Sequence, residues 1–172
     1  MSGTAKARTV SETAVQVAQM MQPSHANPAG NVHGGEIMKM IDDAAGAVAI
    51  RHARGNVVTA SIDRLDFREP VYVGNLVVLK ASINCVGRSS MEVGVKVEAE
   101  DLRTGEVRHT ASAYLTFVAL DDSGRPASVA PLISETDEQR RRCEEGELRK
   151  QERAKLRREL LDRGKTSKGA AE

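Results

Sequence analysis

Apolar and polar positions recur along this chain with two periods, and the change from one to the other divides it. Over residues 36–53, Ile37, Ile41, Ala44 and Val48 stand three and four residues apart. That is one stripe of an α-helix, flanked by Met38, Ala45 and Ala49. Gly55-Asn56 ends the pattern. Ala44, Ala45, Ala47 and Ala49 keep the helix slim, so a sheet can wrap closely around it. From Val57 onward the period is two. Residues 57–67 read as a strand closed by Pro70. Residues 71–86 bend at Gly74-Asn75 and then set Leu79, Ala81, Ile83 and Cys85 against Lys80, Ser82 and Asn84. A turn over 87–90 leads to 91–100, where Met91, Val93, Val95, Val97 and Ala99 oppose Glu92, Lys96, Glu98 and Glu100. One face of that strand is buried and one is wet. A hairpin connection over 102–105 precedes the last strand, 107–120, which ends at the turn 121–126. Ahead of the helix, residues 13–21 read as a first strand by length and valine content, although a helix also fits. Pro23 stops this run, and residues 24–35 are a loop rich in Pro, Gly, Asn and Ser.

The order is strand, helix, then consecutive antiparallel strands, an α+β arrangement whose short later connections fit a meander. One helix covers one face of such a sheet, so the other is either wet or covered by a second subunit. Residues 1–12 are polar and small and read as a flexible terminus. The folded domain spans 13–130, and 131–172 is a charged helical or disordered tail. Over 137–162 only Leu148, Leu156, Leu160 and Leu161 are large and apolar, while Glu and Arg/Lys stand at helix-supporting spacings. Gly146 interrupts this stretch, and four leucines are too few for a coiled coil. A solvated, fraying helix is the first reading and a subunit-contact helix the second. Residues 166–172 read as disordered.

Composition narrows the function. A chain of 172 residues with net charge +1 is a one-domain protein without a basic field for nucleic acid or an anionic membrane. Aromatics are 2% and Trp is absent, which argues against stacking platforms for bases. No apolar run reaches membrane-spanning length, and residues 1–10 lack the hydrophobic segment of a secretory signal. Cys85 and Cys143 lie far apart in unlike contexts, which points to a reducing, cytoplasmic setting without a disulfide. The cysteines and the four histidines show no metal-ligand spacing. Walker, dinucleotide-binding and nucleophile-elbow motifs are missing.

The candidate chemistry gathers where the loop meets the helix. At about 100° per residue, Asp43 projects with Glu36 and Lys39 on the polar side. Asp42 projects with Met38, Ala45 and Ala49, beside the buried stripe. A carboxylate there is partly desolvated, its pKa is expected to rise, and that is how a general base is made. An acid that only bonds a neighbouring backbone group satisfies the same pattern. Asn27 and Asn31 are turn residues whose amides can also orient a water. Gly34-Gly35 puts free N–H groups at a helix N-terminus, where an oxyanion or polarised carbonyl is favoured; a plain tight turn fits as well. His33 is a base, a donor or a surface residue. Arg88-Ser89-Ser90 joins a cation, two hydroxyls and turn amides in a way that suits a phosphate, or is simply a polar hairpin turn.

The run from Ala26 through Asn27-Pro28-Ala29-Gly30-Asn31-Val32-His33-Gly34-Gly35-Glu36 to Asp42 resembles the signature of hotdog-fold acyl-CoA thioesterases, closest to the cytosolic acyl-CoA hydrolase subgroup. Val57-Val58-Thr59, Phe67-Arg68-Glu69-Pro70-Val71, Val73-Gly74-Asn75 and Val86-Gly87-Arg88-Ser89-Ser90 extend the similarity over about 13–122, and the charged tail is also similar in composition. The resemblance implies a long central helix wrapped by a curved antiparallel sheet, two such units pairing edge to edge, and a homodimer or a hexamer built as a trimer of dimers. It implies hydrolysis of fatty acyl-CoA to a free fatty acid and coenzyme A without a cofactor. Asp42 would be the base or nucleophile, Asn31 the amide placing water or thioester, and the Gly35 N–H the group polarising the carbonyl. Asn31 and Asp42 would come from different subunits. Asn27, His33, Gly34, Thr59, Arg88, Ser89 and Ser90 would line the substrate, with Met38 and Phe67 closing the acyl tunnel. Rival expectations are a thioester hydratase or dehydratase and a non-catalytic acyl-CoA-binding regulator.

Overall fold

The computed structural model of the protein describes residues 6–168. In chain order it contains β1 (Arg8–Thr9), α1 (Val10–Thr13), β2 (Val15–Met20), a 3-10 turn (Pro23–His25), α2 (Gly34–Ala53), β3 (Asn56–Phe67), β4 (Leu76–Val86), β5 (Ser90–Asp101), β6 (Glu106–Leu120), β7 (Leu132–Ile133) and α3 (Asp137–Lys168). Strands β2-β4-β5-β6-β3 form one antiparallel sheet in that order. It is a hotdog fold: α2 lies in the concave face and buries Ile37, Ile41, Ala44, Ala45, Val48 and Ala49 against Leu79, Ile83, Met91, Val93, Val97 and Leu115. Every one of the stripe residues read from the helical period is in that core. The small side chains let the sheet approach the helix closely.

The meander is β4-β5-β6, as the short connections suggest. β3 does not sit beside β4; it crosses to the far edge and pairs with β6 alone, with register shifts between Thr59 and Ser61 and between Ile62 and Arg64. The helix starts at Gly34, two residues before the apolar period shows it, and ends at Ala53 as expected, but the residue that closes it is not Gly55. Arg54 takes the left-handed conformation (φ 55) and its N–H donates to the Ile50 carbonyl at 2.8 Å.

Residues 8–12 correct the expectation of a flexible terminus through residue 12, while the first five residues of that stretch lie outside the described residues. Arg8↔Leu132 and Thr9↔Ile133 form a two-stranded parallel pair. Thr9 then caps α1 reciprocally: its N–H donates to Glu12 Oε2 at 2.7 Å, and its Oγ1 accepts from the Glu12 N–H at 3.3 Å. His52 ties this clasp to α2. Its Nε2 lies 2.8 Å from the Ala130 carbonyl, and its own carbonyl accepts from the Arg8 guanidinium. The ring is fully buried, and among the described residues Nδ1 has no hydrogen-bond partner. Burial first, then the Arg8 charge, lowers its pKa from 6.5, opposed by the Ala130 bond. A histidine with a depressed folded-state pKa stabilises the fold fully above its unfolded value and loses that contribution as pH falls. The urea midpoint is therefore expected to drop as pH falls below about 6.5, and His52→Gln, which cannot titrate, to flatten that slope.

The tail corrects the picture of a solvated helix. The first half of α3 lies on the outer face of the sheet. Gly146, which looked like an interruption, is the point of contact: a Cβ there would stand 2.8 Å from Cys85 Sγ and 3.0 Å from Glu92 Oε1. Glu92 is buried and accepts from Asn84 Nδ2 at 3.0 Å, Arg149 Nη2 at 2.6 Å and Arg149 Nε at 3.2 Å. The Arg149 guanidinium also lies 3.9 Å from the centre of the Tyr114 ring. One turn on, Arg153 bonds Asp63, which also accepts from Ser61 and Thr116. Burial, then the Glu92 charge, pushes the Cys85 thiol up to about 12, so it stays protonated. Leu148, Leu156, Leu160 and Leu161 remain exposed. Residues 166–168 continue α3, and the rest of the stretch expected to be disordered lies outside the described residues.

Candidate active site

The loop before α2 is organised by Asn27. Its Oδ1 accepts from the N–H groups of Ala29 at 2.9 Å and Asn31 at 3.2 Å. Its backbone N–H donates to the Asn31 carbonyl at 2.7 Å, and its carbonyl accepts from Gly30, which turns at φ +86. With the oxygen pinned twice, the Asn27 Nδ2 is the group left to donate. Asn31 bridges to Tyr72 through its backbone. Asn27, Asn31, Val32, Gly34, Ile37, Phe67, Arg68 and Glu69 line a cavity of about 320 Å³. The Phe67 ring lies over Gly34, where a Cβ would be 3.5 Å from Cζ.

His33 is the N-cap of α2, and its Nδ1 accepts from the Gly35 N–H at 2.9 Å. The donor expected to be free for a carbonyl is therefore occupied in this structure. The pattern of apolar positions did not foretell that bond, because histidine is an uncommon cap.

Asp42 and Asp43 separate as the helical projection requires: Asp42 is half-buried and Asp43 exposed. Thr59 Oγ1 donates to Asp42 Oδ1 at 2.9 Å. Oδ2 has no hydrogen-bond partner among the described residues. Thr59 lies on β3, at its first register shift, where Ala60 is left without a partner on β6. Such bulges re-aim side chains beside working sites. Asp42 is about 10 Å along the helix from Gly35, at 1.5 Å per residue, and it does not line the cavity that holds Asn27 and Asn31. Within one copy of the chain the loop amides and the Asp42–Thr59 pair thus stand apart.

Arg88, Ser89 and Ser90 form the β4–β5 turn. Its carbonyls are taken by Val129, Ala119 and Gly87 N–H groups, and Arg88 is exposed. A Cβ on Gly87 would stand 2.8 Å from Ser90 Oγ and 3.3 Å from Lys150 Nζ. Lys150 of α3, which also donates to Glu147 Oε2 at 3.2 Å, therefore stands beside this turn. Nothing local in the sequence signals it, because its place depends on how α3 docks.

A larger cavity, about 640 Å³, opens on the opposite face of the sheet beneath α3 and holds none of these residues. Lys80 and Lys96 reach it, but both bond Glu98 at 2.6 Å and hold its carboxyl down at about 2. The candidate loop residues line the smaller cavity.

The thioesterase superfamily profile matches residues 29–106. The uncharacterized acyl-CoA thioester hydrolase YkhA of Bacillus subtilis is 41% identical over 79% of this chain and 79% of its own length. The cytosolic acyl coenzyme A thioester hydrolase of Rattus norvegicus is 35% identical over 82% of this chain, which spans 38% of that protein. Among solved structures, an apo-hexameric acyl-CoA thioesterase superposes with a TM-score of 0.85 at 36% identity, covering 88% of this chain and 97% of that one. An acyl-CoA hydrolase from Staphylococcus aureus, solved with butyryl coenzyme A, coenzyme A and coenzyme A disulfide, gives 0.82 at 33% identity, covering 96% and 99%. The same S. aureus enzyme has been solved as alanine variants of one aspartate, one asparagine and one threonine. Its asparagine and aspartate are separated by as many positions as Asn27 and Asp42 here, and its aspartate and threonine by as many as Asp42 and Thr59. This chain belongs to the thioesterase superfamily and to its hotdog-fold acyl-CoA thioester hydrolases.

Proposed function

We propose that the protein hydrolyses fatty acyl-CoA to a free fatty acid and coenzyme A, at sites each built from two copies of the chain. The observation that carries this is the split between the half-sites: the loop amide and helix N-terminus lie at one end of a cavity, and the Asp42–Thr59 pair lies about two helical turns away at an unpaired strand edge. β3 offers that edge together with exposed Val58 and Ile62, while Met38 and Phe67 are also exposed. An apolar, unpaired edge is suited to pairing with a second copy. An isologous β3–β3 contact brings the Asp42 of one protomer toward the loop of the other. The hexameric relative supports an assembly of this kind, as dimers or as a trimer of dimers.

In this reading Thr59 orients Asp42, and Asp42 Oδ2 removes a proton from water as it attacks the thioester carbonyl; direct attack by the carboxylate is the variant route. Carbonyl electrons move onto oxygen beside the N-terminus of α2, and the tetrahedral species collapses by releasing the coenzyme A thiolate, which then takes up a proton. The spacing match favours Asn27 over Asn31 as the positioning amide, and its pinned oxygen leaves Nδ2 to hold the water or carbonyl; Asn31 lines the same cavity. Arg88, Ser89, Ser90 and Lys150 supply charge and hydroxyls for the coenzyme A phosphates. The cytosolic relative supports a cytoplasmic setting, and among the described residues no helix is long and apolar enough to cross a membrane.

The test is free-thiol release from a panel of straight-chain acyl-CoAs. Turnover of at least one chain length, with one thiol per acid released, is expected. Binding of acyl-CoA without thiol release would identify a sensing protein instead.

A further inference from the structure

The geometry points to His33 as a removable cap on the Gly35 N–H, so that the thioester carbonyl reaches that donor most readily when the His33 ring is protonated. The inference rests on the acyl-CoA reading above. Gly35 is the second residue of α2, and its N–H is one of the four at the helix start without an intrahelical acceptor. His33 Nδ1 takes it at 2.9 Å. The ring lies directly against the glycine, 3.1 Å from Nδ1 and 3.4 Å from Cε1 to the place of a Cβ. It therefore fills the space that a carbonyl oxygen aimed at this N–H needs. A donor already bonded to a ring nitrogen is not preorganised for an oxyanion.

The cap can leave without disturbing the loop. His33 is exposed, and Gly35 is the hydrogen-bond partner that its ring has among the described residues. Its backbone is held separately: its N–H donates to the His25 carbonyl at 2.8 Å, and its carbonyl accepts from Glu36 at 2.9 Å. Nδ1 accepts only while the ring is neutral, and protonation makes both nitrogens donors. A cationic ring at that place sets donor against donor beside the positive end of α2, and both effects expel it. The charged and titratable groups of the elements that meet at this loop are His25, Glu36, Lys39 and Asp43, which line one cavity, and Arg68 and Glu69 of the β3–β4 connection, which line the other with Gly34. None of them bonds the ring. His25 is itself engaged, its Nδ1 accepting from Gln22 at 3.0 Å.

The experiment compares pH profiles of kcat/KM for the wild type, His33→Ala and His33→Asn, using the acyl-CoA turned over fastest. Asparagine caps a helix well and does not titrate, whereas alanine does not cap. The wild type is expected to lose about threefold to tenfold in one step as the pH is raised, the worth of a cap. His33→Ala should lack that step and exceed the wild type at pH 8.5 by a similar factor. His33→Asn should stay at the lower level throughout. In the unliganded protein, the Gly35 amide resonance should titrate together with the His33 ring. Parallel losses of about a hundredfold in both variants would make His33 a direct participant and overturn the cap. Three coincident profiles, or a Gly35 amide indifferent to His33, would overturn it as well. If the wild type turns over no acyl-CoA while the amide still titrates with His33, the cap stands as a helix cap and it is the acyl-CoA reading that has failed.

Discussion

Asp42→Ala is expected to lower kcat for acyl-CoA by about 10²- to 10⁴-fold, the usual worth of a positioned base, while coenzyme A still binds. Thiol release measures the first and calorimetry the second. Asp42→Asn should fall as far, because the amide keeps the hydrogen bond from Thr59 but cannot accept the proton of water. The shared site makes a sharper demand. Asn27→Ala and Asp42→Ala each spoil both sites of their own homodimer. A mixed dimer of the two has one site with both defects and one intact. Random pairing at equal amounts should therefore restore about a quarter of wild-type activity. No recovery in demonstrably mixed dimers would place Asn27 and Asp42 of one chain in the same site, against the geometry described above.

The second large effect is on stability. Arg149→Ala removes the main partner of a carboxylate that is only 3% exposed. Breaking a buried pair from one side costs about 3–5 kcal/mol, a large share of the stability of a single domain. Arg153, 3.7 Å from Glu92, offsets only part of that loss. The urea midpoint should fall steeply, and α3 amides should lose their protection from exchange. Replacing both partners together, Glu92→Gln with Arg149→Met, should cost much less, because no charge is left stranded. A single-variant cost below about 1 kcal/mol, the range of exposed pairs, would mean that α3 does not stay docked in solution.

Both predictions concern features that differed in how well the sequence displayed them. α2 was legible because its information is local: Ile37, Ile41, Ala44 and Val48 mark one stripe within twelve positions, and the same projection told Asp42 from Asp43. The alternation in β4, β5 and β6 was legible for the same reason. The place of β3 was not, since pairing with β6 rather than β4 is settled by long-range register and by the two bulges. α3 was misread because its anchors look like surface chemistry. Arg149 and Arg153 are ordinary in a charged helix until Glu92 and Asp63 meet them, and Gly146 looks like a breaker until Cys85 fills the space of its missing side chain. The candidate residues could be picked out from the sequence, but not their arrangement. Neither the capture of the Gly35 N–H by His33 nor the pinning of Asn27 Oδ1 follows from spacing alone.

The parallel pair of β1 and β7 has a consequence in time. Residues 8 and 9 are synthesised ahead of the whole sheet, yet their partners at 132 and 133 follow more than a hundred residues later. Contacts of such separation close late, after the loops between them have been ordered. While the chain is being made, Arg8 and α1 must wait beside a sheet that is already assembling, and the carbonyl of His52 waits for Arg8. The clasp that joins the two ends of the domain is thus expected to be the last seam to shut in folding. By the same token it is the first to open under stress, so proteolytic nicking should begin at the N-terminal side of β2.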